Sequence, residues 1–468
     1  MKHEEILTAL EEVNDKFIKE AEKSPKKKTY LKIAVAAVFI IAIVLGTKMI
    51  VPHRVVEASE PRISECPDSD VFGDQGQFES AYEVWKAELD SRSETATQAM
   101  EEIRPFFTEG NNQFLLTEKN ENKIWSPVNA YIGLAMMTEL TEGETRQQIL
   151  DIFGVEEMDA LREQVSAVWE SVYQDNSKEI CVLANSLWLE SGLQYNRKAM
   201  DALAYHYYTS VYQGDLGSEK VNKEISTWIN NNTGNFLKNS TKSIQLSSDI
   251  IMALYSTLYF QASWSDEFLE KNNTKDLFHT QDGDIQVVYM NKELYPMSYY
   301  WDENFSAVNM WMKNGCRMWF ILPDEGITTG DVLNDGTYME MLLSDEWETC
   351  KYMDVNFSVP KFDVSSSMDL SVGLKNMGVM NVFTENAAEF MNLTWDSPIY
   401  LTGANQSVRV QIDEKGVKAA AYIEIPGAGS AAPPDDGIID FVLDRPFLFV
   451  ITKDNIPLFA GCVNNPEN

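Results

Sequence analysis

The sequence predicts an α+β body preceded by a membrane-spanning helix, and three observations carry that reading. Helix-period and strand-period segments are interspersed along the body without the regular alternation that a doubly wound parallel sheet requires. No repeat of about 20–50 residues runs through the 468-residue chain, which excludes a solenoid or propeller. One apolar run, Ile33 to Gly46, stands apart near the N-terminus. The length allows two or three average domains but equally one large core.

Taken in order, Met1 to Ser24 reads as a short amphipathic helix with Ile6, Leu10, Val13 and Phe17 on one side, stopped by Pro25-Lys26-Lys27-Lys28. Extending the apolar run to Tyr30–Ile50 gives 21 residues. At 1.5 Å per residue that is ~31 Å, enough for a ~30 Å hydrocarbon core, with Lys32 and Lys48 snorkelling to the interfaces. A cleaved secretory signal competes with this anchor. The 32 residues before the run are long for an n-region, however, and the nearest small-residue cleavage site, around Ala58, lies far beyond it. An uncleaved anchor is therefore favoured. Lysines cluster before the span and thin after it, so residues 1–29 are expected in the cytoplasm and the body outside; a cleaved segment would give secretion instead.

Residues 51–92 read as a linker. Val51 to Gln77 carries Pro52, Pro61, Pro67, Gly73 and Gly76, which is tether composition. Phe78, Tyr82, Trp85 and Leu89 then make a short amphipathic helix. The body is expected over 93–468, its first helix Glu94–Phe107. Further helical patterns are Val128–Thr138, Glu144–Phe153, Met158–Tyr173, Asn222–Asn231 and Met368–Met377. Strand patterns are Ile180–Leu189, Ile251–Phe260, Ile285–Met290, Arg317–Leu322, Met353–Val359, Val408–Ile412 and Phe447–Thr452.

Composition removes several function classes. Asp and Glu number 72 against 38 Lys and Arg, a formal charge of −34, and such a surface repels phosphate backbones. Nucleic acid is not an expected partner. The five cysteines (Cys66, Cys181, Cys316, Cys350, Cys462) are widely spaced without a C-x-x-C pair and read as small buried hydrophobes, with Cys66 in the linker. Only His206 and His279 fall in the body, in no metal-binding spacing, and H-E-x-x-H, G-x-S-x-G and Walker motifs are absent. No cofactor, metal site or catalytic residue is expected.

The informative stretch is Val408 to Phe447. Val408, Val410 and Ile412 alternate with polar residues, Glu414-Lys415-Gly416 supplies a turn, and a second strand pattern follows at once. In it Val417, Ala419, Ala421, Ile423 and Ile425 alternate with Lys418, Ala420, Tyr422 and Glu424, a period of two rather than the 3.6 of an Ala-rich helix. The pattern runs into the loop Pro426 to Pro434. Gly427 to Ala432 fits a loose dinucleotide fingerprint, but Pro433-Pro434 forbids the helix that motif needs.

This stretch resembles the hinge and reactive-centre loop of a serpin: a Glu-x-Gly turn, an Ala run, a variable loop and an Arg445-Pro446-Phe447 strand start. Other motifs similar to that family occur in order. They include Trp125-Ser126-Pro127-Val128-Asn129, Gly143-Glu144-Thr145-Arg146, Asn185-Ser186-Leu187-Trp188 and Trp228-Ile229-Asn230. Leu258-Tyr259-Phe260 with Trp264, Ile321-Leu322-Pro323, Val359-Pro360-Lys361-Phe362 and Phe459-Ala460-Gly461 follow, so that the resemblance covers Ser93 to Pro466.

The resemblance implies a single domain with a large mixed β-sheet, smaller sheets and about eight to nine helices, and points to a bacterial, membrane-tethered member. It implies a suicide substrate for an extracellular serine protease, which becomes acyl-linked as the cut loop inserts into the sheet. Inserting positions must be small or apolar on the inward face, as Val417, Ala419, Ala421, Ile423 and Ile425 are, with Ala420 between them. Family spacing from Glu414 puts the bait bond between Ser430 and Ala431, and counting back from Arg445 gives Ala432. Residues this small suit a shallow S1 pocket of the elastase or subtilisin kind. By the same resemblance Ser126, Asn129, Ser256 and Gln406 belong to the region where the sheet opens; the last two replace the usual Asn and His, so an altered hydrogen-bond network is expected there. Pro426 is a departure, because proline avoids central strands. It keeps open a non-inhibitory serpin-fold binding or surface protein that is clipped as a simple substrate. A monomer is expected.

Overall fold

The computed structural model describes residues 53–60, 67, 74–117, 121–175, 179–238, 240–344, 347–395, 398–417 and 437–467. The chain divides into two compact units, 1–53 and 54–468. The expected anchor at 30–50 and the helix before it lie outside the described residues, among which no helix is long and apolar enough to cross a membrane.

In chain order the strands are β1 (His53–Val56), β2 (Lys123–Trp125), β3 (Gln174–Asp175), β4 (Ile180–Glu190), β5 (Thr209–Gly214), β6 (Met252–Ser263), β7 (Thr274–Thr280) and β8 (Gly283–Trp301). They continue as β9 (Phe305–Trp311), β10 (Arg317–Pro323), β11 (Cys350–Pro360), β12 (Phe362–Asp369), β13 (Asn405–Ile412), β14 (Gly416–Val417), β15 (Ile438–Val442), β16 (Phe447–Lys453) and β17 (Ile456–Val463). One sheet runs β1-β5-β4-β6-β14-β13-β12, with β3 hairpinned to β4. The other runs β15-β11-β8-β9-β10-β16-β17-β2, with β7 on β8. The first is mixed: β4 pairs with β5 in parallel and with β6 antiparallel.

Nine α-helices lie among the described residues. In chain order they are α1 (Gln75–Leu115), α2 (Pro127–Leu140), α3 (Gly143–Ile152), α4 (Met158–Val172), α5 (Arg197–His206), α6 (Glu219–Asn232), α7 (Thr329–Asp335), α8 (Thr337–Ser344) and α9 (Ser371–Asn376). Helix α1 corrects an expectation. The linker helix and the first body helix are one continuous 41-residue helix, capped by Asp74 accepting from the Gly76 and Gln77 amides. No glycine or proline falls between Gln77 and Arg104 to end it, and the shift of apolar face near Ser91 only marks where burial begins, at Ala96. The expected start of α9 at Met368 is also displaced. Asp369 accepts from the Ser371 amide and hydroxyl, both at 2.9 Å, so the strand runs up to its capping carboxylate.

The linker expectation is corrected at one further place. Arg54 to Glu60 does not run free of the body: Ala58 N–H donates to Ser210 Oγ (3.3 Å), Ser59 N–H to Ala204 O (3.0 Å), and Arg197 reaches Val55 O (3.3 Å). Val55-Val56 is a β-branched pair beside the otherwise open edge of β5, which explains the pairing.

Helix α2 is nearly all buried, from Pro127 at its first turn to Leu140. Helix α6 lies over the first sheet through Val221, Ile225 and Ile229, three residues at a spacing of four that pack on Trp188 and Tyr212, whose rings stack at 4.4 Å.

Candidate functional site

The site grows from the turn after β13. Asp413 Oδ1 accepts from the Lys415 amide (2.8 Å) and the Gly416 amide (3.3 Å), and Gly416 O accepts from Asp413 N–H (3.0 Å). Trp264, fully buried, donates its indole N–H to Asp413 O and its amide to Lys415 O, both at 2.9 Å. Phe268 N–H donates to Glu414 O (2.9 Å). The Glu414 side chain is buried and accepts from Lys361 and Asn273. Burial pushes its carboxyl up, and the bonds from Lys361 and Asn273 outweigh this and hold it below the usual carboxylate range.

After this turn the chain enters the sheet. Gly416 and Val417 pair with Ser263 and Ala262 of β6 on one side, and Val417 pairs with Ile412 of β13 on the other. Only a glycine fits at 416, since a Cβ there would lie 2.2 Å from Ala262 O and 2.7 Å from Ser263 Cα. Strand β14 is antiparallel to both neighbours, so β6 and β13 run parallel to each other, two interstrand spacings or ~9.5 Å apart at that level. Below β14 no ladder joins β6 to β13 among the described residues. A cavity of about 50 Å³ lies there, lined by Ser256 to Phe260 on one wall and Ser407 to Gln411 on the other.

At the lower end of this gap the structure brings together the four residues expected in the sheet-opening region. Ser126 caps the start of α2, yet its hydroxyl donates to Leu458 O (2.6 Å) instead of accepting from the helix. Its amide donates to Gln406 Oε1 (2.8 Å), and Gln406 Nε2 donates back to Ser126 O (3.0 Å). Asn129 Nδ2 donates to Ser256 O (3.0 Å), while the Ser256 hydroxyl donates to Asn129 Oδ1. One residue of β6 and one of β13 are thus each tied to the first turn of α2.

The loop after α6 crosses the same gap. Gly234 (φ +53) lies against Tyr259 of β6, where a Cβ would be 2.7 Å from the ring. Arg409 of β13 stacks on Phe236 (4.4 Å), donates to Phe236 O (3.2 Å) and is held by Asp363.

Of the other expected site residues, Glu414, Gly416 and Val417 lie in the turn and β14 as described. Ala419, Ala420, Ala421, Ile423, Ile425, Pro426, Ser430 and Ala431 lie outside the described residues. Sequence reasoning gave no role to Trp264, Asn273, Lys361, Arg409 or Phe236. Trp264 and Lys361 stood in motifs already singled out; nothing local marked the other three. Cys181, Cys316 and Cys462 are buried, burial pushing the Cys181 thiol up to about 12 and Cys462 to about 11, while Cys350 is exposed. His279 pairs with Asp284 at 2.8 Å on an exposed hairpin.

Two sheets, one of them parted below a two-residue rung and tied there to the first turn of α2, define the class of fold. The family description serpin (serine protease inhibitor) matches residues 106–466, and the chain belongs to the serpin family. It is 26% identical over 365 residues to Serpin-Z2A of Triticum aestivum, covering 74% of this chain and 90% of that protein. The native structure of the thermophilic serpin tengpin is similar at a TM-score of 0.69 and 20% identity, over 89% of this chain and 100% of that one. Human thyroxine-binding globulin complexed with thyroxine is similar at 0.67 and 22%, over 80% and 100%.

Proposed function

We propose that this protein is a suicide-substrate inhibitor of serine proteases with a shallow S1 pocket, its bait bond at Ser430–Ala431. The observation that carries the reading is the rung Gly416–Val417 at the head of the gap between β6 and β13. Val417 is buried, and in a strand that continued from it Ala419, Ala421, Ile423 and Ile425 would share its inward face. Continuing the antiparallel register sets Ala419 beside Phe260 and Val410, and Ile423 beside Ser256 and Gln406. Small and aliphatic side chains suit those places, and an acyl-linked protease carried on the cut strand would be drawn away from the bait position. Tyr30–Ile50 is the anchor of this reading, with residues 1–29 in the cytoplasm and the inhibitory body outside, acting as a monomer.

Incubation with an elastase-type protease tests this. A covalent complex that survives denaturing electrophoresis, with a released peptide starting at Ala431 by mass spectrometry, is the expected result; clean clipping with no complex overturns it. The second reading, a non-inhibitory binding or surface protein, is favoured by Pro426, which would stand opposite Ala253 in the same register and brings no N–H to the ladder.

A further inference from the structure

A second concavity lies at the far end of the bait segment. Its volume is about 490 Å³, and it opens between the end of β8, the start of β9 and β15. Tyr299, Trp301 and Phe305 supply its aromatic wall, Tyr299 and Trp301 on one face of β8 with rings 5.7 Å apart and nearly parallel. Asp302 and Asp324 also line it, as does Ile438, 58% exposed, at the start of β15. Among the described residues neither carboxylate has a hydrogen-bond or ion-pair partner; Lys351, which has a contact of its own, lines the concavity as well. Glu303 and Glu325, next to these carboxylates in the chain, are both exposed.

Aromatic faces together with two free carboxylates are the chemistry that holds an arginine or lysine side chain. A small neutral ligand would leave both charges uncompensated. Position selects the bearer of that cation. The concavity begins at Gly437, six residues after Ala431, so at most ~20–22 Å of chain separates it from the bait bond. A protease domain of ~230 residues has a radius of about 20 Å, so one seated on the bait bond overhangs this face. The charge of −34 also attracts a basic enzyme over long range. We propose that this aromatic, acidic groove is a second docking site that takes a basic surface side chain of the attacking protease, and so selects cationic enzymes among those that accept small bait residues. The proposal rests on the inhibitory reading for its partner, not for its chemistry.

The test uses the full chain, wild type and the double variant D302N/D324N, with Trp301→Ala as a second, charge-neutral variant. The partner is a basic serine protease of small-residue preference, both active and with its catalytic serine replaced by alanine. Binding to the inert enzyme is expected to weaken about ten-fold in either variant, with a flatter salt dependence for the double variant. Covalent capture of the active enzyme should slow by the same factor while its final yield is unchanged. Unaltered affinity and capture rate in both variants overturn the proposal. So does self-association that the substitutions abolish while enzyme affinity stays the same, because the groove would then belong to a second copy. If wild type binds the inert enzyme more tightly than the variants but never captures the active one, docking stands and the inhibitory reading fails.

Discussion

At the scale of single residues the turn before β14 depends on contacts that only the folded body supplies. Gly416 presses on the backbone of β6, and neither Ala262 nor Ser263 is free to yield as a flexible side chain would. Gly416→Ala is expected to destabilise by about 1–3 kcal/mol, the range for overpacking a tight site. Calorimetry should show the melting temperature of the intact protein falling by a few degrees; an unchanged value would mean the rung does not sit where described. Glu414 makes the same turn sensitive to acid. Its carboxyl titrates below its unfolded value of ~4.3, so its contribution is complete above that pH and is lost as pH falls through the lower folded value. Between about pH 5 and 3 wild type should therefore lose stability faster than Glu414→Gln, which lacks that titration. Parallel melting curves across this range would refute the assignment. The turn itself was legible in Glu414-Lys415-Gly416, but its need for glycine was not, because the atom that excludes a side chain belongs to β6.

At the scale of elements the gap between β6 and β13 is spanned twice, by the first turn of α2 at Ser126 and Asn129 and by the loop after α6 at Gly234 and Phe236. Any strand entering the gap must pass the second tie, whose link to β13 is Arg409. Arg409→Ala removes the stacking and the bond to Phe236 O, and should make spontaneous loop insertion easier. Held at a temperature a few degrees below melting, the variant is expected to lose complex-forming capacity severalfold faster than wild type. Equal decay would show that the loop imposes no barrier. The edge strand at Arg54–Glu60 makes a different prediction. Replacing Val55 and Val56 by Asp should release it, and amide exchange along β5 should accelerate with little change in melting temperature, since the strand covers an edge rather than the core. Most elements were legible because β6, β11, β13 and α4 carry clear periods. The exceptions had physical causes. Helix α1 begins to be buried only midway, at Ala96, with no breaker before that point, and β14 is only two residues long, with its pairing set by strands far away in sequence.

At the scale of the whole molecule the question is how far a cut strand can travel into the gap. In the register set by Val417, Ile423 reaches the level of Ser256 and Gln406, where the sheet is tied to α2. Pro426 would come three residues later, beside Ala253, past that tie but before the bait bond. The first half of the journey thus needs no proline, and the second half must pass a position that offers β6 and β13 no donor. If the protein inhibits as proposed, a stall there would leave the protease only partly displaced, with time to hydrolyse its acyl bond and leave a clipped product. Wild type should accordingly show both covalent complex and clipped protein after reaction with an elastase-type enzyme. Pro426→Ala should shift the ratio toward complex, by about three- to ten-fold if one ladder bond worth ~1 kcal/mol decides the race. The cut form should also melt higher than the intact form in both proteins, and the increment should be larger in the variant. The signature was visible in the alternation of Val417 to Ile425, whereas the place to which it leads was not, because a gap is a property of two strands that the chain writes about 150 residues apart. If Pro426→Ala leaves the ratio unchanged while both proteins still gain stability on cleavage, insertion must already run past the proline in wild type, and the leak has another origin.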